Sequence, residues 1–411
     1  MKRNLRNLAV ALAATTALAP VGVAVASHHN GHGHQHGKAL WASPTGTGTA
    51  CTYAAPCTLT TALGNAPAGA TVRAMKGTYT GGSTIVTSAG TFIIGAPIAS
   101  PVHLVGERGA VIDATGDTFG IAITGSASGT SVQGFTVENA QDTGIVVVPG
   151  TGTTAPAPTP PATDITIVDN TLHNNGTNPT LAAQPGGWGI HLESVTHSTV
   201  ANNRVYDNGG GIYLTDELGP NDHNRIIGNR IYGNVNNCGI TLAGHVAAVD
   251  SLTLLPPAIP TAGVFDNLVA DNVVNGNGTV GQGAGILMGG GALYAGVYGN
   301  VIRDNSATGN GLAGVVIHLH APGDLNGNVI VGNRLGKNNV SGDSDFTPAD
   351  TVTTGILVDA YAPGAISGTV IKHNKIRNNV VGIWTLNVSP TTNTIAHNWF
   401  AASVTTPILA H

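Results

Sequence analysis

A small group of polar side chains near the middle of the sequence is the strongest candidate for chemistry. Its members lie in three successive copies of a Gly-Ile-x-Leu segment, in which apolar and polar residues alternate and so face opposite sides of a strand. Carboxylates can act as general acid and general base, and His or Tyr can take and return protons. The members are His191, Glu193, Tyr213, Asp216, Glu217 and His245.

Within this group, Glu193 and Asp216 are expected to form a carboxylate pair, with His191 as their proton-transfer partner. Tyr213 is expected to stack on a ligand or to donate a proton. Two further members are assigned to substrate binding: Glu217 and His245. The alternative is that these polar side chains merely solvate one face of the protein.

A second polar stripe combines cations with aromatic rings. Arg204 and Arg230 occupy equivalent repeat positions, and Tyr206 and Tyr232 follow two residues after each of them. Guanidinium groups and tyrosine rings could together hold an anionic ligand by charge and stacking. Alternatively, the arginine stems pack over their neighbours and leave their charged ends in water.

Two segments have residue types that bind metals. The run Gly342–Asp345, with Asp350 nearby, could contact Ca²⁺, although it lacks the glycine and final glutamate of an EF-hand loop, so a solvated loop is the alternative. A histidine tract near the N-terminus could bind Cu(II), Ni(II) or Zn(II), or could be a flexible leader without a dedicated metal. The tract contains His28, His29, His32, His34 and His36.

The first 26 residues have the pattern of a secretory signal peptide. A basic start is followed by the apolar run Leu8–Leu18 and by the small-residue cleavage signal Ala24–Ala26. We therefore expect an exported protein with a signal peptide (1–26), a His/Gly-rich leader (27–40) and one folded domain (41–411), without a transmembrane segment in the mature chain. Export permits a disulfide, and Cys51 and Cys57 are close enough in sequence to form one.

The composition excludes several classes of protein. Only 9% of the 411 residues are charged, while 42% are hydrophobic, which is not the composition of a disordered chain. The 16 Lys and Arg residues are outnumbered by 21 Asp and Glu, so a basic nucleic-acid-binding surface is not expected. The remaining cysteine, Cys238, precedes an apolar segment and is expected to be a buried thiol.

An internal repeat determines the expected architecture. Asn and aliphatic residues recur in fixed register, and a glycine follows each unit at intervals of 22 to 29 residues, or longer where segments are inserted. Such a short unit cannot bury its own apolar face, so the units must stack as parallel coils with Asn above Asn. The central Asn positions are Asn170, Asn203, Asn229, Asn272, Asn305, Asn333, Asn374 and Asn398. Glycine is expected where the chain turns with positive φ.

Three longer intervals contain four inserted segments beside the Gly-Ile-x-Leu strands. They cover residues 149–164, 176–188, 246–262 and 339–354. Segments that emerge from one side of a solenoid usually form its binding surface. They therefore place the expected site beside the polar group described first.

The entry segment Trp41–Gly46, the CTYAAPC motif and Gly77–Tyr79, followed by the Asn/Ile coils, resemble secreted bacterial proteins of the pectate-lyase-like superfamily. This resemblance implies an all-β, single-stranded, right-handed parallel β-helix with a short capping helix, for which Thr58–Ala66 is the candidate. It also implies a polysaccharide ligand outside the cell. The Asp-Asp pair typical of polygalacturonase-like hydrolases does not occur in this sequence, and the only Gly-His-Gly lies in the histidine tract.

Three functions remain open on these grounds. The first is a secreted protein that binds and cleaves polysaccharide, as a lyase or a glycoside hydrolase, with the carboxylate/His group as its site. The second is a non-catalytic surface or glycan-binding solenoid. The third is an exported metal-binding β-helix that uses the histidine tract.

Overall fold

The structure is a computed structural model that describes residues 39–87, 90–149, 160–176, 187–280, 283–319, 321–342 and 352–411. Its described part consists almost entirely of short strands. The strands are β1 Leu40–Ala42, β2 Ala70–Ala74, β3 Gly77–Tyr79, β4 Ser83–Thr87, β5 Gly90–Ile98, β6 Val102–Asp113, β7 Phe119–Thr124, β8 Ser131–Glu138, β9 Thr143–Val148, β10 Ala162–Thr163, β11 Thr166–Val168, β12 Thr171–His173, β13 Trp188–Glu193, β14 Val195–Thr196, β15 Thr199–Ala201, β16 Arg204–Tyr206, β17 Gly210–Thr215, β18 Asn221–Asp222, β19 Arg225–Ile227, β20 Arg230–Tyr232, β21 Ile240–Gly244, β22 Val264–Phe265, β23 Leu268–Ala270, β24 Val273–Asn275, β25 Ile286–Gly290, β26 Val301–Arg303, β27 Ser306–Thr308, β28 Val315–Leu319, β29 Val329–Val331, β30 Arg334–Leu335, β31 Thr354–Asp359, β32 Val370–Lys372, β33 Lys375–Ile376, β34 Val381–Leu386, β35 Thr394–Ala396, β36 Trp399–Phe400 and β37 Thr406–Ala410.

These strands form three sheets that run along the molecule. Sheet A contains two strand ladders, one from β11 to β35 and one from β12 to β36, which the long strands β6 and β8 join. Sheet B contains β4, β5, β7, β9, β13, β17, β21, β25, β28, β31, β34 and β37, and the short sheet C contains β10, β14, β18 and β22. Strands from successive coils pair in parallel, and among the strands named above only β4 and β5 pair antiparallel. The chain thus winds as the stacked coils that the repeat predicts.

The predicted asparagine column is confirmed and is continuous. The Asn203 amide donates from Nδ2 to Oδ1 of Asn229 at 3.0 Å, and Asn229 repeats this contact with Asn272 at 3.0 Å. Each Oδ1 also accepts the backbone N–H of the Asn one coil earlier, and each Nδ2 donates to a backbone carbonyl as well. Because the buried amide groups of this column have partners, Asn is stable at these interior bends.

A second column contains glycines at or just before the start of the sheet B strands. None of its members has a positive φ, so turn geometry does not explain these glycines. A Cβ atom at Gly239 would instead lie 2.9 Å from the Gly285 carbonyl oxygen and 2.9 Å from Asn277 Nδ2. Close stacking, not turn geometry, therefore requires glycine here. The column contains Gly120, Gly144, Gly189, Gly211, Gly239, Gly285, Gly314, Gly355 and Gly382.

Positive φ occurs one residue before each central Asn. Asp, Asn and His occupy most of these positions, together with some Gly, and all have φ between 55° and 71°. These are the residue types that tolerate the left-handed region best. The positions are Asp169, Asn202, Gly228, Asp271, Asp304, Gly332, His373 and His397.

The first coils are closed by the predicted cap. Helix α1, Leu59–Asn65, begins after Thr58, whose Oγ1 accepts the backbone N–H of Thr61 at 3.1 Å, and it buries Leu59 and Leu63 against the first strands. The expected disulfide joins Cys51 and Cys57 beside this helix, with 4.8 Å between their Cα atoms. Cys238 is a free, buried cysteine, as expected, and burial raises the pKa of its thiol.

Candidate functional site

The predicted polar group lies on the outer side of three neighbouring strands of sheet B. In register, His191 of β13 pairs with Tyr213 of β17, and Tyr213 pairs with Thr241 of β21. The alternating residues, such as Ile190 and Ile212, lie in the continuous apolar core inside the coils. The expectation that successive coils bring these outward positions together is therefore met for His191 and Tyr213.

These outward-facing side chains are nevertheless buried. The exposed fraction is 1% for His191, 7% for Tyr213, and 0% for both Glu193 and Asp216. Glu217 is also buried, whereas His245 is half-buried. The alternative that the group merely solvates one face of the protein is therefore wrong. These side chains form a second packed layer outside sheet B, where low polarity affects their protonation.

Stacked rings form the centre of this outer layer. The Trp188 and Tyr213 rings stack with centroids 4.4 Å apart and planes 9° apart, and the His191 ring lies 4.8 Å from that of Tyr213. Trp188 was not among the predicted residues. The sequence feature that could have indicated its position is Gly210, which pairs with Trp188 from strand β17. A Cβ atom at Gly210 would clash with the Trp188 ring.

His191 is held in its neutral form. Burial, followed by the charge of nearby His245, lowers the pKa of His191 to about 3. Neither ring nitrogen has a hydrogen-bond partner among the described residues, although Nε2 lies 3.9 Å from Oε2 of Glu193. Buried nitrogen atoms without partners destabilise a fold, so this imidazole at the centre of the site lowers the free energy of unfolding.

A hydroxyl–imidazole pair lies at the rim of the same layer. The Tyr213 hydroxyl oxygen is 3.3 Å from Nε2 and 3.4 Å from Nδ1 of His245, and burial raises the pKa of Tyr213 well above its usual value. Nδ1 of His245 contacts Thr215 Oγ1 at 3.0 Å and the Ala243 carbonyl oxygen at 3.3 Å. Because a carbonyl oxygen only accepts, these contacts assign the proton to Nδ1 and leave Nε2 as an acceptor facing Tyr213.

The Asp216 carboxylate holds the inserted segment 246–262 at both of its ends. Oδ1 accepts the backbone N–H of His245 at 2.7 Å, and Oδ2 accepts that of Gly263 at 2.8 Å. Both contacts are charge-assisted, which makes them stronger than bonds between neutral groups. Asp216 therefore fixes the position of His245 through its backbone.

Glu193 has a similar anchoring contact. Its Oε1 accepts the backbone N–H of Leu218 at 2.8 Å, which fixes the turn after β17. Leu218 in turn packs against the apolar outer residues of the preceding coils, which include Val146 and Val148. The role of Glu193 and Asp216 as a catalytic pair stays a prediction, while their contacts give both of them a role in anchoring loops.

The arginine and tyrosine stripe lies elsewhere, on the outer face of sheet A. The Tyr206 and Tyr232 rings stack 5.0 Å apart, and Arg204 donates from Nη2 to the Tyr232 hydroxyl at 3.0 Å. The Arg204 guanidinium also lies 5.8 Å from the centre of the Tyr206 ring. Arg204 and Arg230 line an open hollow of about 650 Å³ together with Asn202, Gly228 and Tyr232. The structure therefore does not bring this stripe into the sheet B site.

The expected metal-binding residues are not placed by the structure. The histidine tract and Asp343–Asp350 lie outside the described residues, as does the signal peptide. Among the residues that are described, no group of three or more His, Cys, Asp or Glu side chains has an arrangement that could hold a metal ion. No helix in this part of the chain is long and apolar enough to cross a membrane.

A family model described as "Right handed beta helix region" matches residues 159–253. The chain is a right-handed parallel β-helix. The same coils continue on both sides of the matched segment, with the Asn column unbroken to Asn398. No curated protein sequence matches the chain.

Two solved structures are similar to this β-helix in fold. The A-module of the mannuronan C-5 epimerase AlgE4 from Azotobacter vinelandii has 18% identity and a TM-score of 0.48, with 84% of this chain and 91% of that chain covered. An alginate lyase from Paenibacillus sp. strain FPU-7 has 14% identity and a TM-score of 0.45, with 91% and 98% covered.

Proposed function

We propose that the protein cleaves an acidic polysaccharide by β-elimination, with His245 and Tyr213 transferring the protons. The observation that carries this proposal is the 3.3 Å contact between the Tyr213 hydroxyl and Nε2 of His245 at the half-buried rim of the outer layer. Asp216 binds the backbone N–H of His245, and the Thr215 hydroxyl contacts Nδ1 of its ring. A fixed hydroxyl–imidazole pair is what proton transfer at a sugar ring requires.

The reaction requires a neutral His245 and a protonated Tyr213. Nε2 of His245 takes the proton from the carbon next to the uronate carboxylate, and the electrons of that bond form a carbon–carbon double bond. The bond to the glycosidic oxygen breaks, and that oxygen takes the proton of the Tyr213 hydroxyl. Its raised pKa keeps Tyr213 protonated before the reaction, and the proton on His245 then returns to it.

The site also has room for a ligand beside His245. Gly291 lies next to this imidazole, and a Cβ atom added there would be 3.9 Å from Nε2. The neighbouring positions of sheet B are Ala243 and Gly289, which are small. The His318 ring fills the space over Gly289, so the side on which a sugar ring could approach Nε2 is that of Gly291.

Tyr213→Phe tests the proposal, because Phe preserves the stacking on Trp188 and removes only the hydroxyl. The product is measured on acidic and neutral polysaccharides as unsaturated-uronate absorbance and as new reducing ends. We expect the variant to lose a factor of about 10² to 10⁴ in rate. Tyr53→Phe, an exposed tyrosine beside the N-terminal cap, is the matched control and should retain full activity. Equal rates for the Tyr213→Phe variant and the wild type would exclude this role for Tyr213.

A second candidate chemistry is hydrolysis by Glu193 and Asp216. Two carboxylates on adjacent coils are its basis, and its product would be reducing ends without unsaturated-uronate absorbance. Changing both residues to Ala, with polysaccharide depolymerisation as the assay, tests it, because undiminished activity would remove the pair from consideration. A non-catalytic glycan-binding role is the second candidate function, favoured by the open hollow beside Arg204 and Arg230.

We also propose that the protein acts outside the cytoplasm. The support is the signal-peptide pattern of residues 1–26 together with the Cys51–Cys57 disulfide, since such bonds persist in oxidising compartments. The proposed polymeric substrate is consistent with this location.

A further inference from the structure

We propose that a second hollow, on the outer face of sheet A near the end of the β-helix, binds an anionic sugar unit of a polysaccharide. This hollow has a volume of about 240 Å³. Three cations and one indole ring surround it, and small polar residues lie between them. Its lining residues are Ser306, Thr308, Arg334, Gly336, Lys375, Arg377 and Trp399.

The arrangement of the cations is unfavourable without an anion. Arg334 of β30 and Lys375 of β33 are direct partners in parallel strands, which places their Cα atoms about 4.8 Å apart. Like charges at opposed positions destabilise a sheet. Arg334, Lys375 and Arg377 form no ion pair with the described residues, and no described residue that lines the hollow is acidic. A bound carboxylate or sulfate would remove this repulsion.

The chain has only 16 Lys and Arg residues, so three around one hollow is a concentration of positive charge in a protein with net charge −5. The other hollow of sheet A provides a comparison. Arg204 there is already engaged by the Tyr232 hydroxyl and the Tyr206 ring. The guanidinium and ammonium groups of the second hollow have no such partner among the described residues, so they are more available to a ligand.

The indole ring favours a sugar over a small ion. Trp399 of β36 follows Lys375 in register, and its side chain is 55% exposed. An exposed aromatic ring beside cations can stack on the flat face of a sugar while the cations bind its acidic group. The remaining lining offers the hydroxyls of Ser306 and Thr308 as hydrogen-bond partners.

This inference rests on the proposed function only in taking the ligand to be a carbohydrate. The hollow and the Tyr213–His245 pair lie on different sheets, so the hollow would serve as a separate binding position for the same polymer. A long chain held at two positions dissociates more slowly than one held at a single position.

The test is a binding titration of the full chain carrying Tyr213→Phe, which separates affinity from turnover. The probes are a hexagalacturonate, a sulfated heparin hexasaccharide, neutral maltohexaose and a single-stranded oligo-dT. We expect the hexagalacturonate or the sulfated probe to bind, with an affinity that falls as salt is added. Whichever of the two binds more tightly identifies the acidic group as a carboxylate or a sulfate.

Single substitutions then locate the binding. Lys375→Ala, Arg334→Ala and Trp399→Ala should each weaken the affinity by about tenfold. Arg225→Ala, which removes an exposed cation of the same sheet away from the hollow, is the matched control and should change the affinity less than about twofold. All four side chains are exposed, so the variants should fold normally.

Three outcomes would overturn the inference. They are the absence of binding by both anionic probes, equal effects of Arg225→Ala and Lys375→Ala, and tighter hollow-dependent binding of oligo-dT than of either sugar. Absence of polysaccharide cleavage by the wild type would refute the proposed function but leave the binding result intact, because the titration needs no turnover.

Discussion

The outer faces of sheets A and B start from the same coil but differ in how their polar side chains are accommodated. On sheet B, His191, Glu193 and Asp216 are buried, and the two carboxylates accept backbone N–H groups of the turns that follow the strands. On sheet A, Arg204 and Arg230 stay exposed, and Arg204 donates to the Tyr232 hydroxyl and lies over the Tyr206 ring. The same outward position in a repeat is thus a packed interior on one face and a hydrated surface on the other.

The difference shows on which face of this β-helix polar side chains contribute most to stability. A charged group has a large effect when it is buried and bonded, and a small one when water screens it. The burial on sheet B also changes protonation, since it lowers the pKa of His191 and raises that of Tyr213. Substitutions on sheet B should therefore alter stability and its pH dependence, whereas those on sheet A should alter neither.

The largest stability effect is expected for Asp216→Ala. The substitution leaves the backbone N–H groups of His245 and Gly263 without their acceptor, and the free energy of unfolding should fall by about 3 kcal/mol. Guanidinium denaturation measures this change. Asp216→Asn retains one acceptor oxygen, so its free energy of unfolding should lie between those of Asp216→Ala and the wild type. An unchanged denaturation midpoint for Asp216→Ala would contradict the anchoring role.

A smaller, pH-dependent effect is expected from His191. In the folded protein its pKa is lowered to about 3, so the unfolded chain binds the proton first as the pH falls. Its contribution to stability is complete above the unfolded pKa of about 6.5 and is lost as the pH falls toward 3, by about 2 kcal/mol between pH 7.5 and pH 5.

His191→Phe should remove this part of the pH dependence while preserving the ring stack. The comparison is the stability of variant and wild type by denaturation at pH 7.5 and pH 5. His103→Phe, which changes an exposed histidine, is the control and should leave the pH dependence unchanged. If the wild type and the His191→Phe variant lose the same stability between the two pH values, His191 is not the group responsible.

The smallest effect is expected on sheet A. Arg204 is exposed, and its bond to the Tyr232 hydroxyl competes with water, so Arg204→Ala should cost less than about 1 kcal/mol of stability. Thermal or guanidinium denaturation measures it at two salt concentrations. A loss as large as that of Asp216→Ala would remove the contrast between the two faces.

The fold could be predicted from the sequence because each coil repeats the same local requirement. Asn203, Asn229 and Asn272 recur in register, and stacking follows from the need to pair their buried amides. The cap at Thr58 and the Cys51–Cys57 bond were also predictable, since both depend on residues close in sequence.

The site was only partly predictable, because burial depends on segments that do not repeat. The alternation in Gly-Ile-x-Leu places His191 and Tyr213 outward, but it does not show that further chain covers them. The alternation alone also does not show that the Trp188 ring packs over Gly210. The anchoring of 246–262 by Asp216 joins residues far apart in sequence, and no local pattern encodes such a contact.

That anchoring makes residues 246–262 an exchangeable part of the protein. Both ends of the segment are fastened to one carboxylate that belongs to the preceding coil, and near its start Ala248 and Val249 donate backbone N–H groups to the Tyr294 carbonyl oxygen. Loops of other lengths and compositions could be grafted between Val249 and Gly263 while these contacts are kept. Ligand preference could then diversify at this point without any redesign of the column beneath it.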